Sequence, residues 1–244
     1  MGTSFLILSG EGYRRVFGKM VAMKKNRVCE VIREVGIIPA IRVSSNEYAH
    51  FAAEAVTLGG IPIVEVTMTI PRAVEVIAHI AKQNPNTVVG AGTVLDLNTA
   101  KACVDAGATF LTAPGLEQVM VDFAAKTGIA VLPGALTPTE VVRAWKAGAD
   151  FVKVFPCAQV GGESYIAALK KSLPGVPMIA AGGVNQRTAE GFILAGAAAL
   201  GVGRDLIPAD AIQHRRADVV RELARRFLRA VKEGRERLAE QSVS

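Results

Sequence analysis

Long apolar runs are missing from this sequence. No stretch approaches the roughly 18 consecutive apolar residues of a membrane-spanning helix, which excludes an integral helical membrane protein. Cysteine is scarce. Cys29, Cys103 and Cys157 are scattered, with neither a disulfide framework nor CxxC metal spacing. A reduced, cytoplasmic setting is expected. Aromatic residues make up only 5%, which argues against a platform for stacking single-stranded nucleic acid. His50, His79 and His214 stand apart in helical segments and are expected at the surface. No metal site and no Ser–His–Asp arrangement is visible. What is present is apolar surface: half of the 244 residues are hydrophobic, enough for one large core and too much for a disordered chain.

The net charge of +6 invites a nucleic-acid reading, and its distribution removes it. Residues 1–29 carry six Lys/Arg against one acid, and residues 213–237 carry nine against four. The remaining chain has 13 basic and 17 acidic residues, so the middle is mildly acidic. Residues 1–22 read as a leader, disordered or the product of an over-long start, with Met20 and Met23 as candidate starts. The apolar patch Phe5–Leu8 is too short for a signal peptide, and its basic residues follow it instead of preceding it. The folded domain is expected over 23–244.

From Lys24 onward, β-rich runs alternate with helical segments. The runs are Ile37–Ile41, Ile63–Thr67, Val88–Gly92, Phe110–Ala113, Ala130–Leu132, Phe151–Val154, Met178–Ala181 and Ala199–Val202. Ser44…Glu47 and Thr137-Pro138-Thr139-Glu140 read as capping boxes, and Pro71 and Asn185 as helix openers. Gly59, Gly107, Gly128, Gly148 and Gly196 mark helix ends. Eight strand–helix units without a long linker predict one α/β domain, a (β/α)8 barrel with an N-terminal helix. A doubly wound open sheet is the alternative; it would want GxGxxG after the first strand, where this chain has Arg42-Val43-Ser44. A long C-terminal helix is expected over Asp210–Glu240, packed by Val220, Leu223, Phe227 and Val231. Its arginines read as a solvated face, with a polyanion-binding helix as the competing reading.

In a barrel of this kind the active site lies at the C-terminal strand ends. Side chains alternate along a strand, so Lys153 shares an inner face with Phe151 and Phe155. An ammonium there is poorly solvated, which favours the free, nucleophilic amine. Glu65 shares the opposite inner face with Ile63 and Thr67. Strands two and six are four apart in a ring of eight, so the two side chains face each other. That pair suits Schiff-base chemistry; an inert internal salt bridge remains the alternative. Gly182-Gly183 after strand seven and Gly201-Val202-Gly203-Arg204 after strand eight suggest anion sites. Arg42, at the end of strand one, can hold a carboxylate in two-pronged fashion. Cys157 reads as packing.

The motifs in order resemble the 2-keto-3-deoxy-6-phosphogluconate (KDPG) / 4-hydroxy-2-oxoglutarate (KHG) aldolases. They are Gly59–Thr67, Gly90–Leu95, Ala113-Pro114-Gly115, Pro133-Gly134 with Thr137–Glu140, Lys153–Pro156 and Gly182-Gly183-Val184, and the resemblance spans roughly Lys24 to Ile207. It implies a cofactor-free class I aldolase, usually a homotrimer, acting on a small keto acid, with no nucleic-acid or membrane partner. Lys153 would be the Schiff-base lysine and Glu65 the general acid/base. Thr93, Pro114 and Phe155 would line the pyruvate end, and Gly182, Gly183 and Gly203 would hold a distal phosphate. The chain departs from the family pattern at three places. Thr69 stands where some members carry arginine, which assigns carboxylate binding to Arg42. Ala180-Ala181 replaces Pro-Thr, and Arg204 replaces serine. The expected reaction is cleavage of a 2-keto-3-deoxy sugar acid, 6-phosphorylated, to pyruvate and an aldehyde such as glyceraldehyde 3-phosphate. A sugar-phosphate-binding barrel without this chemistry, or an isomerase on the same scaffold, is the alternative.

Overall fold

Eight short segments rich in β-branched residues and alanine form parallel strands, each followed by a helix that returns the chain to the same end. In the computed structural model, which describes residues 15–16, 19–20 and 23–241, these strands are β1 (Ile37–Ile41), β2 (Ile63–Thr67), β3 (Val88–Gly92), β4 (Phe110–Thr112), β5, β6 (Val152–Val154), β7 (Met178–Ala181) and β8 (Ala199–Val202). β5 comes in two pieces, Ala130–Leu132 and Gly134–Ala135, parted at Pro133. The first piece pairs with β4 and the second with β6, so the two open ends of the hydrogen-bonded sheet are one stretch of chain. With β8 paired to β1, the ring closes. Every neighbouring pair in it is parallel. The expected barrel is therefore present, and the open-sheet alternative is not.

The expected leader over 1–22 lies outside the described residues, apart from a short antiparallel pair, Arg15–Val16 with Lys19–Met20. Helix α1 (Lys25–Val35) covers the N-terminal end of the barrel. Lys25 pairs with Asp150 at 2.8 Å, and the Arg33 guanidinium sits 4.7 Å from the Phe151 ring. That floor leaves the C-terminal strand ends as the open side.

The outer ring is α2 (Asn46–Leu58), α3 (Ala73–Gln83), α4 (Leu97–Asp105), α5 (Gln118–Thr127), α6 (Pro138–Ala147), α7 (Glu163–Ser172), α8 (Ala189–Leu194), α9 (Ala209–Gln213) and α10 (Ala217–Gln241). The Thr137/Glu140 capping box is formed as expected. The α2 cap is Ser45 rather than Ser44: the Ser45 hydroxyl accepts from Tyr48 N–H, three residues on. Pro71 does not open α3, which begins at Ala73 after Arg72 in a left-handed conformation. Asn185 caps a turn ahead of α8, accepting from Arg187 and Thr188 N–H.

The expected long C-terminal helix is present as α10, but it starts at Ala217 and not at Asp210, which lies in the separate short α9. The two are parted at His214–Arg216, where Arg215 has φ +53° and its guanidinium reaches Glu47. α10 then packs Val220, Ala224, Phe227 and Val231 into the core, while Arg225 and Arg229 face solvent. Among the described residues, no helix is long and apolar enough to cross a membrane.

His79 and His214 are exposed, as expected, whereas His50 is half-buried and is not isolated. The rings of His50 on α2 and His79 on α3 meet with centroids 4.1 Å apart and planes tilted by 49°, and the His50 Nδ1 is unpartnered. Adjacent helices of the ring bring together what the sequence holds 29 positions apart.

Candidate active site

The inner faces of three alternate strands meet at one point. Lys153 Nζ of β6 lies 3.7 Å from Glu65 Oε2 of β2, with the side chains 15% and 5% exposed. Between them stands Thr112 of β4, itself buried. Its hydroxyl donates to Glu65 Oε2 at 3.0 Å and accepts from Lys153 Nζ at 3.4 Å. Alternate strands supply the layers of such barrels, which is why β2, β4 and β6 can touch across the lumen.

The intervening strand, β3, makes room. A Cβ on Gly92 would lie 2.1 Å from Glu65 Oε1, and one on Gly90 would lie 2.2 Å from the Phe110 ring. Both glycines therefore turn to the lumen. Their missing side chains leave a hollow filled by Phe110 below and the Glu65 carboxylate above. Directly after β3, Thr93 holds φ +60°, a strained conformation for a β-branched residue. The next amide, Val94 N–H, bonds to the Thr112 carbonyl at 3.1 Å.

The Phe155 ring lies 5.8 Å from Lys153 Nζ and is partly exposed at the mouth. Beside it a cavity of about 330 Å³ opens, lined by Pro114, Leu136, Glu140, Arg143 and others. Glu140 is committed to the α6 N-terminus, where the backbone N–H groups of Thr137 and Leu136 hold its carboxyl below the usual range.

At the end of β2, the buried Thr67 hydroxyl donates to Ile41 O at 2.9 Å. Its single hydrogen is used there, so Thr69 Oγ1, 2.7 Å away, is the donor to Thr67. This chain ties the end of β2 to the last carbonyl of β1, from which Arg42 departs.

Comparison with known proteins then decides the family. The family model described as KDPG and KHG aldolase matches residues 28–223. The KHG/KDPG aldolase of Escherichia coli strain K12 is 31% identical over 196 residues, covering 80% of this chain and 92% of that protein. The 2-dehydro-3-deoxy-phosphogluconate aldolase of Treponema pallidum is 33% identical over 158 residues, 65% of this chain and 75% of that one. The chain belongs to the KDPG and KHG aldolase family. By that membership it is a lyase of the aldolase type. Among solved structures, the Legionella pneumophila KDPG aldolase, with pyruvate captured as a covalent carbinolamine, superposes with a TM-score of 0.75 at 29% identity. That match covers 81% of this chain and 96% of that one.

The remaining expected positions of the aldolase ring the mouth. Gly182 and Gly183 have φ +83° and +88°; a Cβ would meet Pro156 at 2.8 Å and Ala158 at 2.3 Å. The loops after β6 and β7 are joined by Cys157 N–H to Ala181 O and Ala158 N–H to Gly182 O, at 2.9 and 3.0 Å. Cys157 is buried, and burial pushes its thiol up to about 11, so it carries no thiolate near neutral pH. Gly203 starts a turn, its carbonyl accepting from Leu206 and Ile207 N–H. Arg42 and Arg204 are exposed and form no ion pair among the described residues, which leaves both guanidinium groups free for an anion. Lys153 and Glu65 are thus brought into contact, whereas Arg42, Arg204 and the paired glycines stay at the rim.

Thr112 escaped the sequence reading. Its signal was present: it is a polar residue sharing the period-two inner face of Phe110 at the C-terminal end of strand four.

Proposed function

We propose that this aldolase cleaves a 2-keto-3-deoxy sugar acid, 6-phosphorylated, to pyruvate and an aldehyde such as glyceraldehyde 3-phosphate, through a Schiff base on Lys153. The observation that carries the reading is the Lys153–Glu65 contact at 3.7 Å inside the lumen. A primary amine beside a carboxylate is the pairing that Schiff-base formation and proton transfer both need, which supports the reading. Water-poor surroundings also favour the enamine's survival.

The Lys153 amine adds to the C2 ketone, and the ketone oxygen leaves as water on taking a proton from Glu65, which gives an iminium and the Glu65 carboxylate. Glu65 takes the C4 hydroxyl proton through a water as the C3–C4 bond breaks. The bonding pair flows into the iminium, forming an enamine and releasing the aldehyde. Protonation at C3 and hydrolysis of the iminium return pyruvate and the free lysine. Thr93, Pro114 and Phe155 surround the keto-acid end, and Arg42 holds its carboxylate. Gly182, Gly183, Gly203 and Arg204 receive the phosphate. We assign the assembly as a homotrimer on the family resemblance.

Incubation with pyruvate and borohydride, followed by peptide mapping, should place a reduced adduct on Lys153, and K153M should give none. Absence of the adduct in the parent protein would refute Schiff-base catalysis and favour a sugar-phosphate-binding barrel. A retro-aldol panel with and without the 6-phosphate should favour the phosphorylated acids. Turnover of only the unphosphorylated acids would remove the role assigned to the loops after β7 and β8.

A further inference from the structure

We infer that Thr112 is a third working group of this site, a proton relay between Lys153 and Glu65. The inference rests on the Schiff-base reading above. The amine and the carboxylate are 3.7 Å apart, too far for a direct hydrogen bond. Thr112 Oγ1 bridges them at 3.4 and 3.0 Å. A hydroxyl has one hydrogen, and an ionised carboxylate can only accept, so that hydrogen points to Glu65. The oxygen's lone pair then faces Lys153 Nζ, whose N–H donates to it. This gives the bridge a direction, from nitrogen to carboxylate.

Protons move along it as follows. The Lys153 ammonium passes a proton to Thr112 Oγ1, and the original Thr112 hydroxyl proton passes to Glu65 Oε2. The products are a neutral amine with its lone pair free, a protonated Glu65, and an unchanged hydroxyl. No other reactant is consumed. The reverse transfer recharges the pair after pyruvate leaves.

The surroundings suit a relay. Thr112 is 1% exposed, so bulk water has no ready access to replace the hydroxyl. Its β-branched side chain has few rotamers, and its carbonyl is held by Val94 N–H at 3.1 Å. Phe110, two residues earlier on the same face, is held against Gly90. The hydroxyl is thus positioned by a strand whose inner face is fixed below it.

The experiment compares T112V, T112S and T112A with the parent, using turnover, KM, the rate of borohydride trapping with pyruvate, and thermal midpoint. T112V keeps the shape without the hydroxyl. Its turnover and trapping rate should fall by about 10²-fold, the low end for general acid–base groups, with KM changed less than about threefold. T112S should recover both to within about threefold of the parent. T112A, which leaves space for a water, should fall between them. Should T112V not fold, a T112A trapping rate below that of T112S makes the same case. A T112V protein as fast as the parent overturns the relay, as does a T112S protein as slow as T112V, since side-chain shape would then be the cause. A parent that forms no adduct on Lys153 overturns the Schiff-base reading itself, a result distinct from either.

Discussion

Gly92 shows how much a missing side chain can decide. Its absent Cβ is the space that Glu65 Oε1 occupies, so the glycine acts on the position of the carboxylate. G92A should drive the carboxylate out of line with Thr112 and Lys153. Overpacking of this kind costs about 1–3 kcal/mol, and turnover should fall at least tenfold beyond the loss of folded protein. Chemical denaturation together with the retro-aldol rate of the folded fraction tests this; full activity in G92A would mean the carboxylate has another place to sit. Thr93 adds to the picture from the same strand end. A β-branched residue kept at φ +60° is a local cost of the kind that accumulates at working sites.

Among the elements, α2 and α3 carry a consequence for pH. His50 is held below its ordinary value of 6.5, first by burial and second by the neighbouring His79. In the unfolded chain the same imidazole binds a proton more readily. Stability is therefore full above the unfolded value and is lost as pH falls through it toward the folded one. The thermal midpoint should drop as pH falls below the ordinary imidazole value, and H50Q should flatten that drop. An identical pH slope in H50Q would separate the pair from acid sensitivity. The helix boundaries also show what local signals reach. Thr137-Pro138-Thr139-Glu140 named its cap because the proline, the hydroxyl and the glutamate agree. Ser44 and Ser45 offer two adjacent hydroxyls, and only the path of the chain leaving β1 selects Ser45.

For the whole molecule, the long C-terminal helix is part of the core. Phe227 and Val231 of α10 are buried, and the close approach of α10 to α2 and α8 depends on small residues. A Cβ on Gly59 would lie 2.6 Å from Ala224 Cβ, and one on Gly234 would lie 3.0 Å from Ile193 Cβ. F227A should cost about 3–5 kcal/mol, read from the denaturant midpoint, with the pyruvate adduct per folded molecule unchanged. Loss of the adduct at full folding would couple this helix to the site. The helix also carries one of the two basic surpluses of the chain, and some of its basic residues serve structure: Arg237 pairs with Glu190 at 2.5 Å, and Arg235 donates to the Glu34 carbonyl at 2.7 Å.

By itself the sequence determined the eight strands, the barrel and the opposition of Lys153 and Glu65. Period-two alternation, glycine stops and the spacing of the units are local properties that the chain carries wherever it goes. Only the tertiary structure decided the rest. Ring closure through the two halves of β5 brings β2, β4 and β6 into one layer, which inserts Thr112 between the amine and the carboxylate. Packing of neighbouring units brings the His50 and His79 rings together and places Glu65 in the hollow of Gly92. These contacts join residues 27 to 47 positions apart, and no periodicity along one strand records what lies on its neighbours.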